Sequence, residues 1–483
     1  NFSYTIIVCP ETYTMEEAEK EVSHLPNTII VETEKELLEI TLAALEDTDV
    51  ITTWNGEFFD IPMLIQRIRI TLGEEDFYDV CDLENYDPSP KSKEYLKGLC
   101  LFNQYPKPKK TERFNSLEWT FPLKGKVHLD YLALYRKFTF EELHTYKLDY
   151  ILEKELGVEE KKVEYEGPLH MLWRENLKLF TEYNRQDTIG LSKLDDQLGF
   201  ISLANEMAHM ACVKLDDTLG SVTIIEQAIL CELHKQNKVA PDKNVPDEAP
   251  KVAGAFVYVP DGGMYEWIAS FDINSLYPSV IRMLNISPEC VMGQFDLTKT
   301  NTKLVELIET KQASDMTEAW HFFTGVTEYH NVQEETDDIE TLILEDGSRI
   351  EMTAKEWKEF FIENDLCMSA NGTVFQTDKQ GIIPYCLEKW YNERVEFKKN
   401  SKEFDKKGDK EKSKYWDRIQ MVRKIFLNST YGALLNRFFR FFDLRFGQST
   451  TLSGRVVTKH MIKEANRLAV GDYDFSQYTV YGD

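Results

Sequence analysis

Residues 271–279 read FDINSLYPS. The apolar run 267–273, WIASFDI, predicts a buried strand with Asp272 at its C-terminal end. A carboxylate there is costly to bury unless it is paired or binds a metal ion. The chain then turns through Asn274 and Ser275. Pro278 suits the first turn of a new helix. Successive backbone N–H groups in such a turn can receive phosphate oxygens. The plain alternative is an Asp that only caps the next turn.

Five other stretches carry chemistry. In 423–435, RKIFLNSTYGALL, Lys424, Asn428 and Tyr431 share one helix face. Ile425, Leu427 and Leu434 lie opposite them, and Gly432 leaves room for a backbone or a base. In 386–399, CLEKWYNERVEFKK, Arg394 and Lys398 stand four apart beside a stripe of Leu387, Trp390, Tyr391 and Val395. Folded antiparallel, the two helices would present three cations together, a set suited to a triphosphate. The last residues, 480–483, are VYGD: a strand, a glycine turn and Asp483. Asp272 and Asp483 could share metal ions for two-metal phosphoryl transfer. Nearer the start, WNGEFFD (54–60) sets Asp60 between a strand and a helix, and YNRQD (183–187) sets Tyr183 and Asp187 four apart on a helix. Each also has a bland reading: an exposed helical hairpin, a plain turn, a helix cap, a solvated face.

Charge qualifies the picture. The chain of 483 residues carries a net −27, which speaks against nucleic acid. Residues 381–470, however, hold 20 Lys and Arg against 10 Asp and Glu. A local basic face matters more for phosphate binding than the total. Hydrophobic content of 42% is that of a globular protein. No uninterrupted apolar run is long enough to cross a membrane, and no secretory leader is recognisable. Eight cysteines without CxxC spacing argue against a zinc site or a disulfide framework and fit a reducing cytoplasm.

The order of these motifs resembles that of the family B DNA polymerases, most closely the T-even-like bacteriophage type, over nearly the whole chain. WNGEFFD is similar to exonuclease motif II, with Asn55, Phe59 and Asp60 at the family positions, and YNRQD to motif III. DINSLYPS (272–279) resembles polymerase motif A, KIFLNSTYG (424–432) motif B, and YGD (481–483) the start of motif C. NISPE (285–289) and NGTVFQTDKQGIIP (371–384) also look phage-like.

The resemblance implies a mixed fold, α/β and α+β, in several domains. A ribonuclease H-like 3′→5′ exonuclease would occupy 1–199, and 200–243 would return to an N-terminal domain. The palm, an antiparallel sheet with helices, would take 244–380; within it the acidic, polar composition of about 296–366 reads as a surface insertion, with a hairpin on Asp346-Gly347. Helical-hairpin fingers would take 381–436, built from helices at about 384–404 and 410–436. The palm would resume at 437–483, and the thumb would be missing. Asp272 and Asp483 would bind two Mg²⁺ ions, with Mn²⁺ as an alternative. Ser275, Leu276 and Tyr277 would cradle the dNTP, and Tyr277 would exclude a 2′-OH. Arg394, Lys398 and Lys424 would hold the β- and γ-phosphates. Asn428, Tyr431 and Gly432 would line the nascent base pair. Asp60 and Asp187 would bind metals for proofreading, with Tyr183 orienting the attacking water.

Implied partners are primer-template DNA, dNTPs, a sliding clamp and a single-strand-binding protein, in the cytoplasm of an infected bacterium, with no membrane. Departures from the family pattern stand at both ends. Motif C lacks its Thr-Asp, and the Asp-x-Glu of exonuclease motif I is not found in residues 1–59. The usual Tyr-x-Gly-Gly/Ala link before the palm reads Val252-Ala253-Gly254-Ala255. The chain is therefore expected to be an internal fragment, inactive by itself. Two rivals remain: an RNA-templated polymerase, which Tyr277 and the exonuclease motifs oppose, and a non-catalytic DNA-binding scaffold.

Overall fold

In the computed structural model, residues 4–113, 116–139, 141–157, 169–247, 262–264, 266, 268–314, 319 and 337–470 are described. The expected strand 477–481, Asp483, and the link Val252–Ala255 lie outside the described residues. The chain divides into two compact units, Asn1–Asn205 and Glu206–Asp483.

The first unit mixes helices and strands. Strand β1 (Thr5–Val8) and helix α1 (Met15–Val22) precede β2 (Thr28–Val31), α2 (Glu34–Glu46), β3 (Val50–Thr53) and α3 (Asp60–Arg67). A hairpin of β4 (Lys109–Arg113) and β5 (Ser116–Thr120) leads to β6 (Val127–Asp130), α4 (Tyr131–Phe138), α5 (Leu148–Leu156) and α6 (Leu177–Leu198). The β-branched runs of β1 and β2, both TIIV, pair in parallel, as do β3 and β6. A capping box between Thr14 and Glu17 starts α1. Ile61 and Ile65 of α3 pack with Leu38 of α2 and with Leu96 and Phe121. This core holds the start of α3 in place, and with it Asp60.

The second unit contains α7 (Ser221–Lys235), α8 (Leu276–Met283), β7 (Val291–Phe295), β8 (Ile339–Leu344), β9 (Arg349–Thr353), α9 (Ala354–Glu363), β10 (Leu366–Met368), β11 (Thr373–Gln376), α10 (Ile382–Lys406), α11 (Lys410–Leu434) and α12 (Leu444–Val470). Its sheet is antiparallel, in the order β10-β11-β7-β8-β9. The hairpin between β8 and β9 turns at Asp346-Gly347, where Gly347 takes the left-handed φ of 81°. Within 296–366, then, β8 and β9 form two of the five strands, and this part is no mere surface appendage. Apolar alternation explains it: Leu342 and Trp357 are fully buried with Phe295 and Val374. The Trp357 indole N–H also donates to Glu340 O at 2.9 Å.

One expectation is corrected here. Residues 268–273 form no strand, and Ile268 and Phe271 are each 68% exposed. A strand exists only by pairing, and no described strand pairs with this run. Asp272 is accordingly exposed rather than buried.

Helices α10 and α11 form a long antiparallel hairpin. Trp390 meets Phe426 at 5.2 Å, Phe397 meets Trp416 at 5.5 Å, and Ser401 donates to Ser413 O at 3.1 Å. Trp390, Phe397, Trp416 and Phe426 thus line the seam, whereas Val395 of the expected stripe is 53% exposed.

Candidate functional site

In the first unit the loop after β3 is shaped by a buried carboxylate. Asp130 ends β6 opposite Thr53. Its oxygens accept the backbone N–H groups of Asn55 at 2.9 Å, Glu57 at 3.2 Å and Leu132 at 3.0 Å. It therefore caps α4 and pins the turn ahead of Asp60 in one stroke. Asn55 takes φ 67°, and Gly56 sits so tightly that a Cβ there would lie 2.0 Å from Thr53 Oγ1 and 2.9 Å from Asp60 Oδ2. Asp60 opens α3 at the surface. Burial of its inner side, with Asp130 nearby as a second acid, raises its pKa above the usual carboxylate value. Burial also lowers the pKa of His128, which bonds Thr53 Oγ1 at 2.8 Å. Tyr183 and Asp187 lie half-buried, one turn apart on α6. Among the described residues no group of three or more His, Cys, Asp or Glu is spaced to hold a metal ion.

In the second unit the chain turns at Asn274 and Ser275, where Ser275 adopts φ 55° and ψ 51°. Leu276 then opens α8 and Pro278 is buried in its first turn. Asn274 Nδ2 donates to the Tyr391 hydroxyl at 3.4 Å, a contact from this turn to α10. The Tyr277 ring lies against the ring of Tyr431, centroids 4.3 Å apart and planes 33° apart. Tyr431 is held from α12 by a 2.7 Å hydroxyl contact with Thr451, and burial raises its pKa.

On the helical hairpin, Lys398 has a lowered pKa. Burial is the main cause, followed by repulsion from Arg394, Lys402 and Lys424. The three cations singled out in the sequence thus share one field. Arg394 also reaches Gln420 Oε1 at 3.4 Å. Asn428 and Gly432 are exposed, and the space beside Gly432 is open.

Sequence reasoning missed the contributions of Asp130 and α12. A carboxylate following a short strand and preceding YLALY is a helix-cap signal. Thr451, Arg455 and Lys459 recur every four residues, one helix face. Arg455 is buried and its pKa is lowered by that burial, with the Tyr277 phenol nearby. Burial and the neighbouring Arg455 and Lys463 push Lys459 down to about 8.

The first unit thus carries an acid at a strand-to-helix turn, and the second an aromatic pair beside a basic helical hairpin. The sequence matches the profile of DNA polymerase family B over residues 217–483, and that of the family's exonuclease domain over 1–151. The chain belongs to DNA polymerase family B. It is similar to the DNA-directed DNA polymerase of Escherichia phage RB69, 28% identical over 448 residues, covering 90% of this chain and 45% of that protein. It is 26% identical over 429 residues to the DNA-directed DNA polymerase of Enterobacteria phage T4, covering 86% of this chain and 44% of that protein. A DNA polymerase of Pyrococcus horikoshii is 27% identical over 302 residues, 58% of this chain and 21% of that protein. The chain thus spans about half the length of the phage relatives.

Proposed function

We propose that this chain carries the synthetic and proofreading sites of a DNA-directed DNA polymerase that replicates phage DNA. The reading rests above all on Tyr277 packed against Tyr431, next to a helical hairpin on which Arg394, Lys398 and Lys424 share one field.

In this reading the primer 3′-OH attacks the α-phosphorus of a dNTP, the bond to the bridging oxygen breaks, and pyrophosphate leaves. Backbone N–H groups at Ser275, Leu276 and Tyr277 receive the triphosphate. Arg394, Lys398 and Lys424 neutralise its outer phosphates. Tyr277 lies under the sugar and rejects a 2′-OH. Asn428, Tyr431 and Gly432 border the new base pair, and the open space at Gly432 suits a flat base. In the first unit, proposed to be ribonuclease H-like over 1–199, Asp60 and Asp187 serve 3′→5′ hydrolysis of a mispaired end. Tyr183 orients the water. Residues 200–243 are the proposed return segment, 244–380 and 437–483 the palm, and 381–436 the fingers.

Mg²⁺ keeps water and substrate phosphates in its shell, so one or two protein carboxylates suffice to hold it. Asp60 fits such a partner, because its ionised form is disfavoured by burial and by Asp130. Asp272 and Asp483 would hold the ions for synthesis, and Asp60 and Asp187 those for hydrolysis. When bound, such ions neutralise charge on the reacting phosphate and acidify the attacking oxygen. Primer-template DNA is the proposed macromolecular partner, with a sliding clamp and a single-strand-binding protein beyond it, in the cytoplasm of an infected bacterium. No helix among the described residues is long and apolar enough to cross a membrane.

The product of the complete reading frame, given labelled primer-template and Mg²⁺, should extend the primer with dNTPs and shorten it without them. Shortening should vanish in Asp60→Ala. Binding of primer-template with neither reaction would replace the enzyme by a DNA-binding scaffold.

A further inference from the structure

Helix α12 contains a glycine well inside its span, Gly454. Glycine in a helix interior costs about 0.5–1 kcal/mol relative to alanine, so its presence calls for a local reason. The reason is a ring. A Cβ built on Gly454 would lie 2.9 Å from Tyr277 Cε1 and 3.3 Å from Cδ1, where ordinary contact begins near 3.4 Å. The Tyr277 ring edge therefore rests on bare α12 backbone. Its neighbour is equally constrained. Tyr431, its ring tilted against Tyr277 at 4.3 Å, is tied by its hydroxyl to Thr451, on the same helix as Gly454 and less than one turn earlier. Thr451 already donates its single proton to Gly447 O at 2.9 Å, so Tyr431 is the donor in their bond. One helix thus sets both rings: Gly454 by close approach and Thr451 by an oriented acceptor.

We infer that Gly454 is a positioning residue for sugar selection, which fixes where the Tyr277 ring stands and so sets discrimination between deoxyribo- and ribonucleoside triphosphates. Thr451 supports it through Tyr431. The inference rests on the reading of Tyr277 given above. A methyl group at Gly454 must move the ring by several tenths of an ångström. The Tyr431 ring at 4.3 Å limits where it can go. A ring moved off its seat contacts 2′-H and 2′-OH sugars with less contrast. A methyl-sized misfit in a tight pocket is worth about tenfold in selectivity.

The test is a double-mutant cycle in the product of the complete reading frame, reading the ratio of kcat/KM for dCTP to that for CTP. Gly454→Ala should lower the ratio about tenfold in the wild-type background. It should leave the ratio unchanged in Tyr277→Ala, because the ring that transmits the effect is gone. An unchanged ratio in Gly454→Ala, or an equal drop with and without the Tyr277 ring, overturns the inference while leaving the polymerase reading intact. If Tyr277→Ala alone leaves the ratio at the wild-type value, the sugar-contact role of Tyr277 fails, and the inference falls with it. If Gly454→Ala does not fold, as judged by circular dichroism, Thr451 decides. Thr451→Val should lower the ratio and Thr451→Ser should restore it. Equal ratios for the two variants overturn the inference.

Discussion

The carboxylate of Asp130 accepts the backbone N–H of Asn55 at 2.9 Å, across 75 residues of sequence. With Glu57 and Leu132 it satisfies three N–H groups from a position only 5% exposed. Asp130→Ala would leave those donors without their acceptor and should cost about 3 kcal/mol. The loop carrying Asp60 loosens with it. Primer shortening should fall far more than primer extension. Chemical denaturation and the two activities, measured on one preparation, check this. Equal loss of both activities would show that Asp130 serves the whole fold rather than this loop.

Asp60 has a raised pKa, caused by burial and then by Asp130. It therefore takes up a proton at a higher pH than an ordinary aspartate. As pH falls, a cation bound there is lost earlier, so the acid limb of primer shortening should begin above the usual carboxylate range. Raising Mg²⁺ should shift that limb to lower pH, since cation and proton compete. Asp60→Asn should abolish shortening while leaving the unfolding midpoint unchanged or slightly higher, because a disfavoured charge is gone. A limb insensitive to Mg²⁺ would count against a cation at Asp60.

Lys398 has a lowered pKa, through burial and then through Arg394, Lys402 and Lys424. It loses its proton at a lower pH than a free lysine. The KM for dNTP should therefore begin to rise on the alkaline side sooner than an ordinary lysine allows. Lys398→Arg should flatten that limb, since arginine stays charged. Lys402→Ala should move it to higher pH by removing one source of repulsion. Steady-state KM measured against pH separates these variants.

Lys459, with its pKa near 8, works against the fold when charged. Unfolded, it keeps its proton up to about 10.4. Between those values the unfolded chain binds more protons, so this group's contribution to stability rises as pH rises from about 8. Lys459→Met should raise stability at pH 7 by about 1 kcal/mol and remove that rise. Urea unfolding at neutral and alkaline pH is the measurement.

Local signals were legible in the sequence where they depend on neighbours along the chain. The turn at Asn274-Ser275, Pro278 in the next helix, the Asp346-Gly347 hairpin and the long pair α10 and α11 all follow from short-range chemistry. WIASFDI misled because an apolar run signals burial without naming a strand partner, and none of the described strands takes it. The segment 296–366 looked peripheral by its charge, yet Leu342 and Trp357 put part of it in a core.

By itself the sequence determined which side chains stand together on one helix or one turn, because 3.6 residues per turn and the stereochemistry of Gly, Pro and Asp act locally. Tertiary structure alone decided the rest. It brought Asp130 to Asn55, Thr451 to Tyr431 and Gly454 to Tyr277. Those contacts join residues 20 to 177 positions apart. Their distances come from how helices and strands pack, and no spacing along the chain encodes that packing.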